Sequence, residues 1–154
     1  GTSTFIVDST VDVIPASLVP AMLFLIGAVI SFATGTSWVT MAILLPLGIH
    51  MAYGFEISEY ITIAAVLSGS LFGDHCAPIS DTTVMSSMAA GCNHIEHVKT
   101  QIPYAMLAAA AAFIAYLILG FTELSAVIAL PIAIVILVVL YLLAVKLFHG
   151  KKTA

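Results

Sequence analysis

Between Gly73 and Ser87 the sequence reads Gly-Asp-His-Cys-Ala-Pro-Ile-Ser-Asp-Thr-Thr-Val-Met-Ser-Ser, which sets Asp74, His75 and Asp81 among the hydroxyls of Ser80, Thr82 and Thr83. The flanks, Ile61 to Leu71 and Val84 to Ala90, are strongly apolar and read as membrane helix. Ionisable groups at membrane depth are costly unless they face a cavity, a partner or an ion. An oxygen-rich set of this kind suits a hard cation. A sodium ion close to an aspartate favours its charged form, and removal of that ion from a dry cavity favours protonation, so one carboxylate can take ion and proton by turns. On the residues alone, Asp81 is expected to hold the cation, with Ser80, Thr82 and Thr83 as oxygen ligands. Asp74 is expected to be the second acid of the pair, and His75 its hydrogen-bond partner and a candidate proton relay.

Plainer roles exist for each residue. Asp81 follows Ser80 at an expected helix start, where both are good N-caps, and Asp74 is readable as a helix-end acid paired outside this sequence. His75 beside Cys76, with His94 and His97, raises a transition-metal reading, but Cys-x-x-Cys zinc spacing is absent. Cys76 and Cys92 are too few for a disulfide framework and read as packed thiols.

These residues need elements to hold them. Of the 154 residues 62% are hydrophobic and 8% charged, and the mean hydropathy is +1.19, where a soluble domain would be roughly a quarter charged. The expected fold is therefore all-α and polytopic in the lipid bilayer. A net charge of -4 without acidic or basic blocks gives nucleic acid nothing to bind. The chain starts at Gly1 without a Met or a basic leader, and reads as part of a longer protein, not a signal peptide.

Residues Gly1 to Pro15 are expected to be loop or frayed helix. The apolar run from Ser17 to Ala33 stops at Thr34-Gly35-Thr36-Ser37, and a second resumes from Trp38 to Met51 with Pro46 inside it. The length would allow two spans of about 17 to 25 residues, but Trp38 to Met51 is short for one and no Asp, Glu, Lys or Arg separates the two runs. So 16–51 reads rather as one helix interrupted at Gly35, with Thr36 and Ser37 as further cation-site candidates. A second interrupted helix is expected over 57–90. Ser58 and Glu59 start it, Gly73 is expected to end its first arm in the left-handed conformation, and Pro78 removes the donor for the Asp74 carbonyl. Two successive interrupted segments point to a transporter site, because exposed helix ends there offer partial charges to an ion. Asn93, three residues before Glu96, resembles a capping box. Two unbroken spans follow, over 97–121 and 124–148. Lys99 before them and Lys146, Lys151 and Lys152 after them favour a cytoplasmic C-terminus.

The run from Gly73 to Val84, preceded by Phe32-Ala-Thr-Gly-Thr-Ser-Trp and followed by Gly91-Cys-Asn-His and Thr100-Gln-Ile-Pro-Tyr, resembles the C-terminal half of NhaC-type sodium/proton antiporters. The resemblance covers nearly the whole chain, residues 1–154. It implies a polytopic carrier of inverted repeats in the cell membrane, partnered by its own N-terminal half, moving sodium and protons without a cofactor and without enzyme activity. Related carriers in that group exchange organic acids. The family pattern often has Ser where Ala77 stands and Gly where Val39 stands. Ala77 thus removes a possible oxygen ligand, and Val39 crowds a close backbone approach. Beside sodium/proton exchange, the residues leave open an organic acid exchanger coupled to either ion. They also leave open an intramembrane metal-dependent hydrolase using Asp74, His75 and Cys76.

Overall fold

A computed structural model describes residues 1–11, 13–122 and 126–149. Among these every regular element is a helix. They are α1 (Thr2–Thr10), α2 (Val19–Thr34), α3 (Ser37–Gly54), α4 (Glu59–Cys76), α5 (Asp81–Ala89), α6 (His94–Thr122) and α7 (Ala126–His149). Four stretches are long and apolar enough to cross a bilayer: Ala16–Thr34, Ser37–Gly54, His94–Thr122 and Ile128–Lys146. The all-α polytopic class read from composition is what the chain adopts.

The segment 16–51 departs from the expected interrupted helix. It forms a hairpin, in which α2 ends because Gly35 turns left-handed at φ 70° and returns its N–H to the Ser31 carbonyl. The chain then reverses. Gly48 of α3 lies against Leu23 of α2 and against Thr62 and Val66 of α4, and Val19, Leu23, Leu44, Met51, Phe55 and Val66 share one apolar core. The absence of a charged loop misled the reading, because a helix pair can turn on two residues when one is glycine.

Against this hairpin α4 runs parallel to α2 and antiparallel to α3. The seam between α2 and α4 is nearly backbone on backbone: a Cβ on Gly69 would strike the Phe24 carbonyl, and one on Gly73 the Ala28 carbonyl. Gly73 therefore does not end the helix. Its φ is ordinary, the helix continues to Cys76, and the missing side chain lets α2 approach. The interruption comes at Ala77, which is extended at φ -74° and ψ 124°, as a residue preceding proline prefers. Ser80 is extended too, and α5 restarts at Asp81. The expected break in 57–90 is thus present, over residues 77–80.

α6 covers the other side, antiparallel to α4. The Gln101 amide donates to the His75 carbonyl at 3.0 Å at one end, and Tyr116 meets the Ser68 hydroxyl at 2.8 Å farther down. Phe24 stacks on Phe72 and tilts against Tyr116, with centroids 6.2 and 5.6 Å apart. Asn93 caps α6 by accepting the Ile95 and Glu96 N–H groups. The reciprocal half of the capping box is not made, since Glu96 turns to Lys99 instead. At 29 residues α6 is about 43 Å long and exceeds a hydrocarbon core of about 30 Å. α7 returns along α6, and its Ala129, Leu130 and Ala133 line a cleft with Ala112, Ala115 and Leu119 of α6. Of the two forms expected for Gly1 to Pro15, loop or frayed helix, Thr2–Thr10 takes the helical one as α1, and its Val7 packs on Gly54.

Candidate functional site

The hairpin turn and the α4–α5 break both bond to Asp74. Asp74 is 4% exposed and stands in the last turn of α4. Ser37, in the first turn of α3, donates to its Oδ2 at 2.9 Å. Ser80, in the break, donates to its Oδ1 at 2.7 Å. The Ser80 hydroxyl is also 2.8 Å from the Thr82 hydroxyl. A hydroxyl has one hydrogen, and Ser80 spends it on Asp74, so Thr82 donates to Ser80 while the carboxylate is charged. A chain of hydroxyls thus leads from exposed Thr82 through buried Ser80 to buried Asp74.

The two elements touch directly as well. A side chain on Gly35 would meet the Ile79 side chain at 2.8 Å and the Ile79 carbonyl oxygen at 3.1 Å, so the tip of the hairpin sits against the break. Both glycine requirements coincide there, the positive φ and the close approach. The break is held from the far side by His94 at the start of α6. Its Nε2 lies 2.6 Å from the Pro78 carbonyl, and its Nδ1 lies 3.1 Å from the Ser87 hydroxyl. A carbonyl only accepts, so Nε2 carries the hydrogen.

The other residues singled out by sequence fall in different places. Asp81 is exposed at the first position of α5, and its Oδ1 accepts the N–H of Thr82 at 2.8 Å. It does not share a bond with Asp74. Thr83 is buried on α5. Thr36 caps α3 through its backbone, and its carbonyl accepts from Thr40 at 3.0 Å. Thr34 bonds back to the Ile30 carbonyl of its own helix. His75 bonds the Leu71 carbonyl, not an aspartate, because neighbours on a helix point about 100° apart. It lines a cavity of 540 Å³ between α4 and α6, with Phe72, Gln101 and Tyr104. Cys76 is buried and Cys92 exposed. Among the described residues no three His, Cys, Asp or Glu side chains converge as metal ligands would.

Two features escaped the sequence reading. For His94 the sequence suggests a metal nitrogen donor or a place at a helix start, and its spacing to Pro78 gives no local signal of their contact. Ser31 and Ser70 carry no assignment from the sequence, although Ser70 precedes Asp74 by one turn and Ser31 precedes Gly35 by one turn. Those spacings were readable.

Residues 1–121 match the model of the Na+/H+ antiporter family. The chain belongs to that family. An uncharacterised protein of Haemophilus influenzae is 47% identical over 110 residues, 71% of this chain. An uncharacterised Na(+)/H(+) antiporter of the same organism is 36% identical over 62% of the chain. The malate-2H(+)/Na(+)-lactate antiporter of Bacillus subtilis is 32% identical over 63%. In each case the match covers 21% of the relative, so the chain spans about a fifth of the length of the curated relatives it matches. No solved structure matches it. The Na+/H+ antiporter family is one of transporters, and the resemblance carried by the Gly73 motif is thereby upheld at family level.

Proposed function

We propose that this chain forms part of the ion-exchange machinery of a sodium/proton antiporter, with Asp74 as the group that sodium and protons contest. The observation that carries the proposal is the buried carboxylate of Asp74, which accepts one hydroxyl from the hairpin start and one from the helix break. Each serine that donates its hydrogen to Asp74 keeps lone pairs, and those oxygens, with the carboxylate, suit a hard cation.

Ion and proton act differently on this arrangement. A cation leaves both carboxylate oxygens free to accept, so Ser37 and Ser80 keep their directions. A proton on Asp74 makes one oxygen a donor, and the serine bonded there must turn. If the proton sits on Oδ1, the chain reverses, with Asp74 donating to Ser80 and Ser80 to Thr82. The charge on Asp74 therefore decides how firmly the hairpin tip is tied to the break. This link between occupancy and conformation is what an exchanger requires, since a ligand shifts an equilibrium only by its differential interaction with the two states.

Asp81, proposed from sequence as the sodium ligand, serves in this reading as the acid at the N-terminus of α5, where a negative charge is favourable. The match covers only about a fifth of each relative, and in this reading the N-terminal half of the carrier covers the surface on which Asp81 is exposed. No cofactor is required. In this reading the protein lies in the cell membrane with its C-terminus in the cytoplasm, the side that Lys99, Lys146, Lys151 and Lys152 favour. Lys99 and Lys146 stand at the same end of the antiparallel α6–α7 pair, consistent with that orientation.

A second reading, exchange of an organic acid coupled to sodium or protons, draws on the resemblance to the malate-2H(+)/Na(+)-lactate antiporter. The deciding experiment is proton flux in vesicles holding the complete protein. Flux driven by sodium alone supports sodium/proton exchange. A requirement for a carboxylic acid supports the second reading.

A further inference from the structure

Burying a hydroxyl without a hydrogen-bond partner costs free energy, and proteins rarely leave one so. Among the described residues two buried side-chain polar atoms lack a partner, the hydroxyls of Ser31 and Ser70. Both residues are 0% exposed, and both belong to the seam on which Asp74 stands. A methyl on Gly27 would be 3.3 Å from the Ser70 hydroxyl, so that hydroxyl is directed at α2. Ser31 lies one turn beyond Gly27 on α2, and Asp74 one turn beyond Ser70 on the parallel α4. Ser31 therefore reaches the level of the carboxylate, and Ser70 stands one turn below it. Below Ser70 the seam closes on Val66 and Leu23.

We infer that Ser31 and Ser70 are further ligands of the cation at Asp74, forming the inner wall of its site and setting which alkali ion it selects. This rests on the exchange role proposed for Asp74 and deepens it. The alternative is that both serines are there only because they are small, as the Gly27, Gly69 and Gly73 seam requires. Smallness does not account for the hydroxyls, since alanine would pack as closely and leave nothing unsatisfied. A partly dehydrated cation accounts for both, because each free oxygen then has a positive partner. Ser37 and Ser80 come from the hairpin start and the break, whereas Ser31 and Ser70 come from the α2–α4 seam, so the ion would be enclosed from two sides.

The test uses the full-length protein carrying Ser31→Ala, Ser70→Ala and both. Sodium-driven and lithium-driven proton flux are measured in vesicles, and thermal stability is measured without sodium. The inference expects unchanged or raised sodium-free stability, because an uncompensated polar group has been removed. It also expects a rise in the sodium KM on the order of tenfold for the double variant, with a changed sodium-to-lithium preference. Unchanged KM and preference would overturn it. So would a fall in sodium-free stability or failure to insert, since either would mean that the hydroxyls have a structural partner. If Asp74→Asn abolishes sodium dependence while the serine variants keep it, only the inner wall is wrong. If Asp74→Asn transports normally, the exchange role itself fails.

Discussion

Ser37 and Asp74 are joined by a 2.9 Å hydrogen bond between two helices that run in opposite directions. The bond fixes the start of α3 to the last turn of α4, and with Ser80 at 2.7 Å on the other carboxylate oxygen it makes one acid the meeting point of the hairpin and the break.

Replacing either serine by alanine should weaken that meeting point. A hydrogen bond to a charged group is worth roughly 1.5 to 3 kcal/mol, so Ser37→Ala and Ser80→Ala should each lower stability by about that amount. The sodium KM should rise as well. Thermal unfolding at high pH and sodium-dependent flux measure the two effects, and a variant with wild-type values for both would show that the bond is incidental.

Gly35 combines φ 70° with a close approach to Ile79. The left-handed conformation costs a residue with a Cβ about 1 to 2 kcal/mol, and the contact adds to it. Gly35→Ala should therefore reduce transport more than stability, by pushing the hairpin tip off the break. Pairing it with Ile79→Ala should recover part of the flux by relieving the contact. No recovery in the pair would separate Gly35 from Ile79.

His94 holds the break through the Pro78 carbonyl and α5 through Ser87. His94→Ala should loosen residues 77–80 and lower the maximal rate. His94→Gln, which can still donate to a carbonyl, should restore much of it. Hydrogen exchange across 77–82 follows the loosening directly. Equal rates in the alanine and glutamine variants would mean that the donor is not what matters.

The sequence carried the membrane class, a helix break between Gly73 and Asp81 that the fold narrows to 77–80, the start of α4 at Ser58 and the chemistry of the Gly73–Ser87 run, because hydropathy, proline and capping residues act locally. It did not carry the direction of α3. Continuation and reversal at Gly35 obey the same local rules, and only the packing of Gly48 on Leu23 and Val66 distinguishes them. The different surroundings of the two aspartates were beyond it for the same reason. Asp81 has the hydroxyl-rich neighbours along the chain, but Asp74 faces the seam, and Ser37 reaches it from a distant part of the sequence. Gly73 was noticed for the wrong property, as its value is the missing side chain and not a positive φ.

The measurement that bears most directly on the central claim compares Asp74→Asn with Asp81→Asn in the full-length protein, by sodium-driven proton flux in vesicles at matched protein content. Asn keeps the size of Asp74 but replaces one accepting oxygen with a donor that faces a serine, and it cannot take up and release the proton. Asp74→Asn should abolish sodium-driven flux while inserting normally. Asp81→Asn should retain flux, with at most a modest change in rate from the altered charge at the start of α5. Wild-type flux in Asp74→Asn, or its loss in Asp81→Asn alone, would contradict the account and return the ion to the residue that the sequence first favoured.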